Sequence, residues 1–427
     1  MTLLLILIAL LVLIVLDIPI AIAIGMVAIA GILSSQGLDG LFNAPLALYE
    51  GASSFPLLAI PLFVFAGNLM NASSISRRLI DLANAILGFI RGGLAMVNIG
   101  VSLFFAEISG SAVADVAAIG SVLIPAMKEK HYKPSFAAAI TSSSASLAII
   151  IPPSIPMILY ATLADVSVVK LFVAGILPGV IGGVAMMGLA YYFARKYNLP
   201  REAAFRLSRV KIALREAAWT LILPFVILGG IFGGFVTATE GAGLAVAAAL
   251  FISGVIYREL NQETLWRAIH MSVTQTAIVM LLVATSALLG LYLTEAQLPQ
   301  QLADSILTLT HNRYAVLLLL NLLLLGLGML LHGAAAIILV VPMLMPLIHE
   351  VGIDPLHFGI VLTLNLAIGQ QTPPVASVLI TACSIAKVDI WETTRANVPF
   401  ICLLLALLIL VTYFPMIPLA LVYLFYG

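Results

Sequence analysis

Ten apolar stretches run through the chain, at 2–33, 46–72, 94–127, 135–163, 171–194, 218–257, 269–293, 314–348, 357–385 and 396–425. A bilayer core takes about 20 mostly apolar residues to cross as a helix, so the runs predict a polytopic, all-α membrane protein. Some exceed one crossing. The first is interrupted by Asp17-Ile18-Pro19 and the sixth by Thr237-Ala238-Thr239-Glu240, which suits two short helices or one kinked helix. About ten crossings and two re-entrant segments are expected. Only 9% of residues are charged, against about 25% in an ordinary soluble domain. Nineteen Lys and Arg balance nineteen Asp and Glu. That composition excludes a soluble enzyme, a disordered chain and a nucleic-acid binder, which needs a basic face. The two cysteines, Cys383 and Cys402, are too few for a disulfide framework or a zinc cluster. No Lys or Arg precedes Arg77, so the basic start of a cleavable signal is missing, and the first run is expected to stay in the membrane.

The polar stretch 195–216 carries Arg195, Lys196, Arg201, Arg206, Arg209, Lys211 and Arg215. The positive-inside rule makes it cytoplasmic, and a short amphipathic helix is expected there at the interface. It divides the chain near its middle. Shifting the sequence against itself by 221 residues brings Pro125, Pro134, Pro152, Pro153 and Pro178 onto Pro346, Pro355, Pro373, Pro374 and Pro399. At about 5% proline, the first half's prolines should give roughly half a match by chance. The pattern predicts a duplication: repeat 1 over 1–194, the basic linker 195–216, and repeat 2 over 217–427. Charge sets their relation. Lys128-Glu129-Lys130-His131-Tyr132-Lys133 is basic, whereas its counterpart, His349-Glu350-Val351-Gly352-Ile353-Asp354, has no Lys or Arg. Further on the bias reverses, from Ala164-Asp165-Val166 to a partner region holding Lys387 and Arg395. The repeats are therefore expected to have inverted topology, a common plan for secondary transporters.

Irregular backbone at membrane depth is tolerated only inside protein or beside a water-filled cavity. Four such places are marked: Ile108-Ser109-Gly110-Ser111 followed by Asp115; Ser142-Ser143-Ser144-Ala145-Ser146 leading to Pro152-Pro153; His332-Gly333; and Gly369-Gln370-Gln371-Thr372-Pro373-Pro374. Each repeat thus has a break about 40 residues before a Pro-Pro element, as expected of a re-entrant hairpin (about 94–127 and 314–348) facing a discontinuous helix (about 135–163 and 357–385). Interrupted segments at matching positions point to a transport site. A hard cation takes oxygen ligands. Unwound backbone offers carbonyls, Ser109, Ser111, Ser144, Ser146 and Thr372 offer hydroxyls, and Asp115 adds a negative charge. The freed helix N-termini suit an anionic substrate. Ser and Gly also pack membrane helices without binding anything. An intramembrane Asp is costly and has a partner or a task. For Asp115 the competing reading is a protonated or hydrogen-bonded side chain beside the hairpin. Glu107 is a candidate for transport or an interfacial residue, Glu240 a transport residue or the support of a bend, and Asp17 a helix-end residue. His332 stays open between a proton group, a hydrogen-bonding tip and packing.

The segment Ala106-Glu107-Ile108-Ser109-Gly110-Ser111-Ala112-Val113-Ala114-Asp115 resembles the hairpin motif of the large membrane subunit of tripartite ATP-independent periplasmic (TRAP) transporters. Ser144-Ala145-Ser146-Leu147-Ala148 through Pro152-Pro153-Ser154 resembles that family's first broken helix, and Gly369-Gln370-Gln371-Thr372-Pro373-Pro374 its second. Thr237-Ala238-Thr239-Glu240-Gly241-Ala242 resembles its Thr-Pro-Thr-Glu-Ala-Ala element. The resemblance implies an elevator-type transporter of the bacterial inner membrane. It would import small carboxylates or sugar acids, such as C4-dicarboxylates and sialic acid, by Na⁺ symport. A periplasmic binding protein and a small four-helix membrane subunit would be its partners. It implies a first Na⁺ site from Ser109, Gly110, Ser111, Asp115, Ser144 and Ser146, a second from Gly333, Gly369 and Thr372, and substrate contacts from Ser143, Pro152, Gln370, Gln371 and Pro373. The chain departs from the family where Ser144-Ala145-Ser146-Leu147-Ala148 replaces a frequent Ala-Gly-Thr-Leu-Gly, where His332 replaces a frequent Asp, and where Ala238 replaces a frequent Pro.

Three other readings compete. A stand-alone Na⁺- or H⁺-coupled di- or tricarboxylate symporter of the same architecture needs no binding protein. An intramembrane enzyme would need His-Glu-x-x-His, Gly-x-Gly-Asp or a Ser/His pair at a plausible site, and none is evident. A channel or scaffold has no need of duplicated polar gaps.

Overall fold

The computed structural model describes residues 2–109, 111–201 and 205–427. Its elements in this range are helical. The first membrane run splits into α1 (Thr2–Val15) and α2 (Ile20–Gln36), because Asp17 takes a left-handed φ of 62° and Pro19 starts the next helix. The second run is cut by Ser53, Ser54 and Pro56 into α3 (Ala44–Ala52) and α4 (Ala59–Ala72). α5 (Ile75–Leu87) is amphipathic and buries Ile75, Leu79, Ile80, Leu82 and Ala85. The hairpin α6 (Gly93–Ser109) and α7 (Ala112–Glu129) follows, then α8 (Pro134–Ala148), α9 (Ile155–Leu163) and the long α10 (Val168–Lys196).

The second half opens with α11 (Leu207–Phe232), α12 (Ala238–Phe251), α13 (Gln262–Glu295) and α14 (Leu298–Leu307). A second hairpin, α15 (Arg313–Leu330) and α16 (Gly333–Glu350), precedes α17 (Pro355–Gly369) and α18 (Ser377–Ala386). The chain closes with α19 (Ile390–Tyr413) and α20 (Met416–Tyr426). Eight helices among the described residues are long and apolar enough to cross a membrane, fewer than the ten crossings expected. The difference lies in shorter apolar helices such as α2, α17, α18 and α20. Among the described residues of 195–216 the expected separate short helix does not form. Leu207 to Arg215 instead continue into α11, and Pro224 sits inside that helix without ending it.

Prolines set the ends of the broken helices. Pro134 and Pro355 occupy the first helical position, where the missing N–H is not needed. The Asp354 carboxylate accepts from the His357 N–H at 3.0 Å and caps α17. Pro152-Pro153 and Pro373-Pro374 lie in the two gaps, where they cannot continue a helix. With the 221-residue shift, α7 falls on α16 and α8 on α17, residue for residue.

The broken helices run antiparallel. The Lys128 ammonium donates to the Ala386 carbonyl at 3.0 Å, which sets the end of α18 beside the end of α7. The Lys133 ammonium lies 5.6 Å above the Tyr197 ring, and the Gly92 N–H reaches the Pro200 carbonyl at 3.1 Å. Arg91, Lys128, Lys133, Lys196 and Lys387 therefore gather at one end of the bundle. At the other end the Tyr160 hydroxyl donates to the Pro355 carbonyl at 2.6 Å, setting the last turns of α9 beside the start of α17.

Candidate functional site

The tip of the second hairpin closes on the gap between α17 and α18. Gly328 and Gly369 bring α15 and α17 together without side chains: a Cβ on Gly369 would stand 2.5 Å from Gly328 Cα. Gly333, the first residue of α16, faces the Gln370 amide, whose Nε2 is 2.7 Å from where its Cβ would be. The Val375 N–H donates to the Met329 carbonyl at 3.2 Å, tying the gap to α15. The Thr372 hydroxyl donates back to the Ile368 carbonyl at 2.9 Å, and the Val378 N–H to the Gln370 carbonyl at 3.0 Å. Gly333, Gly369, Gln370 and Thr372 thus lie together at this gap. Pro373 is half-buried at the rim of this gap.

The first hairpin meets α8 through polar side chains. Asn98 Nδ2 donates to Thr141 Oγ1 at 2.6 Å, and Ser102 Oγ and Ser144 Oγ are 2.9 Å apart. Ser144 Oγ also lies 3.3 Å from Asn98 Oδ1 and donates to the Thr141 carbonyl at 3.2 Å. Ser143 turns to the second repeat. Its Oγ lies 2.7 Å from Gln371 Oε1 and 2.6 Å from Asn397 Oδ1 on α19, and Asn397 Nδ2 lies 3.1 Å from Gln371 Oε1. One residue from each of α8, the second gap and α19 forms this buried triad. Pro152 is buried in the first gap. That gap is pressed against α10, where Gly175 leaves room for the Ile150 carbonyl.

A third cluster was not expected. Asn365 Nδ2 donates to Asn321 Oδ1 at 2.7 Å and to the Val361 carbonyl at 2.9 Å, and Asn321 Nδ2 donates to Thr412 Oγ1 at 3.0 Å. Asn98, Asn321, Asn365 and Asn397 are all missed by a search for chain breaks. The signal that finds them is a lone amide inside an apolar run, which is expensive in lipid unless it faces the protein interior.

Asp115 is 2% exposed in the first turn of α7, and its N–H bonds to the Ser111 carbonyl at 2.9 Å. Ser111 is the half-buried, extended residue before that helix. Gly110 and the side chains of Glu107 and Ser109 lie outside the described residues. His332 precedes α16, exposed and making no side-chain cap. Glu240 sits elsewhere, exposed at the start of α12. Its carboxylate accepts from the Thr237 N–H at 2.8 Å, while its own N–H donates to Thr237 Oγ1 at 3.2 Å. This is a capping box, a local helix start that accounts for the Thr-x-x-Glu spacing by itself.

Four fully buried or nearly buried polar atoms near the gaps have no hydrogen-bond partner among the described residues: Ser142 Oγ, Ser146 Oγ, Asn365 Oδ1 and the outer end of the Gln371 amide. An unmet buried polar atom costs about 1–3 kcal/mol, so four around two helix breaks are costly unless a ligand meets them. Among the described residues no three His, Cys, Asp or Glu converge as metal ligands. The oxygens on offer are hydroxyls, amides and backbone carbonyls, which suit a hard monovalent cation better than a transition metal.

Comparison with known proteins agrees with this architecture. The family model described as "Tripartite ATP-independent periplasmic transporter, DctM component" matches residues 7–417. The isethionate TRAP transporter permease protein DctMQ of Oleidesulfovibrio alaskensis is 40% identical over 92% of this chain, which spans 62% of that relative's length. The C4-dicarboxylate TRAP transporter large permease protein DctM of Pseudomonas aeruginosa is 37% identical over 90% of each chain. Among solved structures, the YdaH transporter of Alcanivorax borkumensis shares the fold, with a TM-score of 0.65 at 15% identity over 91% of this chain and 90% of that one.

Proposed function

The chain belongs to the DctM component family of tripartite ATP-independent periplasmic transporters, and from that premise we propose that it is the large membrane subunit of a Na⁺-coupled importer of small organic anions. It is a multi-pass protein of the inner membrane and not an enzyme. The substrates are carboxylates or sugar acids of the C4-dicarboxylate or sialic-acid type. The relatives named for a C4-dicarboxylate and for isethionate both handle small anions by name. A periplasmic binding protein delivers the substrate, and a small four-helix subunit completes the permease.

One observation carries the reading: the second hairpin tip closes on the second helix gap, and the two broken helices bury Ser142 Oγ, Ser146 Oγ, Asn365 Oδ1 and one end of the Gln371 amide with no hydrogen-bond partner among the described residues. Na⁺ is a transported substrate on this reading. Carbonyls freed at the gaps, with Asp115, Ser144 and Ser146 on the first-repeat side and Gly333, Gly369 and Thr372 on the second, supply its oxygens. Ser143, Pro152, Gln370 and Pro373 border the anion. The antiparallel broken helices and the 221-residue register support inverted repeats, with the basic end cytoplasmic. Hairpins and broken helices then move as one body against the scaffold of α1 to α5 and α11 to α14.

The partner requirement is tested by reconstitution. Uptake of a labelled C4-dicarboxylate or sialic acid into proteoliposomes is expected only when this chain, the small subunit and the binding protein are all present. Uptake by this chain alone would replace the tripartite reading with a stand-alone symporter.

A further inference from the structure

The Ser143–Gln371–Asn397 triad sets which end of the Gln371 amide is left buried without a partner. The oxygen and nitrogen of a side-chain amide have nearly the same shape, so the hydrogen-bond network decides between them. With Gln371 Oε1 and Asn397 Oδ1 both toward Ser143, at 2.7 and 2.6 Å, two acceptors compete for one hydroxyl proton. One of these short contacts would then be oxygen against oxygen with no hydrogen between them. Turning Asn397 alone sets its oxygen against Gln371 Oε1, at the 3.1 Å contact, and turning Gln371 alone sets two NH₂ groups against each other there.

Only turning both leaves no conflict. Gln371 Nε2 then donates to Ser143 Oγ and Asn397 Oδ1, and Asn397 Nδ2 donates to Ser143 Oγ. Ser143 Oγ then accepts from both amides, so neither short contact is oxygen against oxygen. In that arrangement the buried outer end of Gln371 is its carbonyl oxygen.

Asn365 points the same way. Both its Nδ2 hydrogens are used, by Asn321 Oδ1 and the Val361 carbonyl, so its unpaired end can only be oxygen. Two buried, unmet amide oxygens beside the second gap are acceptors, and an anion's carboxylate brings no hydrogen to meet them. We infer that Gln371 presents its carbonyl oxygen to a monovalent cation, held in that orientation by Ser143 and Asn397, and does not bind the substrate's carboxylate. The inference rests on the Na⁺-coupled reading and sharpens it, since Gln371 moves from the anion's side to the cation's.

The test is Na⁺-dependent thermal stabilisation of the purified permease with no substrate present, measured against K⁺. Gln371→Leu is expected to raise the Na⁺ concentration giving half the shift by about tenfold or more. Asn397→Asp keeps the acceptor that faces Gln371 Nε2 and replaces the donor facing Ser143 by an acceptor for the Ser143 proton, so Gln371 holds its orientation and the Na⁺ shift is expected to remain. A Na⁺ shift unchanged in Gln371→Leu would overturn the inference and leave Na⁺ coupling intact. Should Gln371→Leu fail to fold, a folded Asn397→Asp that has lost the Na⁺ shift would overturn it instead. Absence of any Na⁺ shift in the unsubstituted protein, together with Na⁺-independent uptake, would overturn the coupled reading as well.

Discussion

Asp115→Asn is expected to abolish Na⁺-dependent uptake while leaving the fold in place. The side chain is 2% exposed in the first turn of α7, directly after the hairpin tip. Two roles make different demands on it. As a helix-start acid it interacts with the N-terminal dipole, worth about 0.3–1 kcal/mol near a surface. Asn keeps the shape and hydrogen-bonding capacity of that position, so this role implies a small loss of stability and normal transport. As a carboxylate beside the first cation site it balances the ion's charge in a medium where an uncompensated charge costs several kcal/mol. On that role the neutral variant loses roughly 100-fold or more in Na⁺ affinity or uptake rate. Melting temperature and uptake measured on one preparation separate the two. A folded variant with unchanged Na⁺-dependent uptake would remove Asp115 from the site.

Gly369→Ala is expected to damage both stability and transport. Its Cβ would stand 2.5 Å from the Cα and carbonyl carbon of Gly328 and 2.9 Å from that residue's carbonyl oxygen. These are backbone atoms and cannot rotate away, so the α15–α17 seam has to open. Overpacking of this kind costs about 1–3 kcal/mol. The displaced seam also moves the hairpin tip, where Gly333 faces Gln370. Gly326 on α15 is the control, because a Cβ there meets nothing within 4 Å. Gly326→Ala should be neutral or slightly stabilising, since Ala is about 1 kcal/mol better than Gly inside a helix. Uptake near normal in Gly369→Ala, with an unchanged melting temperature, would show that the seam does not hold the site.

The hairpins and broken helices were legible because backbone chemistry marks their ends. Pro134 and Pro355 start helices, the Pro-Pro pairs occupy the gaps, and Gly333 and Gly369 sit where backbones touch. Crossing number was less legible. Hydropathy alone runs through Ser53, Ser54 and Pro56, yet those residues cut 46–72 into two helices. The basic stretch before α11 reads as a separate interfacial helix, but nothing between Leu207 and Arg215 interrupts the helical backbone, so it joins the span. Glu240 has a local explanation in Thr237, which the Thr-x-x-Glu spacing already spells out. The asparagines were hidden for a different reason. Asn321 and Asn365 stand alone in apolar sequence, and only the packing of α15 on α17 brings them together. Gln371 was visible as a polar residue in the gap, but its orientation depends on Asn397, 26 positions away.

The most direct measurement is uptake into proteoliposomes holding the complete permease, with substrate-loaded binding protein outside and the same pH on both sides. An inward Na⁺ gradient is expected to drive accumulation of the labelled anion, and replacing Na⁺ by K⁺ is expected to abolish it. Equal accumulation with K⁺ in place of Na⁺ would contradict a Na⁺ site at the hairpin tips and helix gaps.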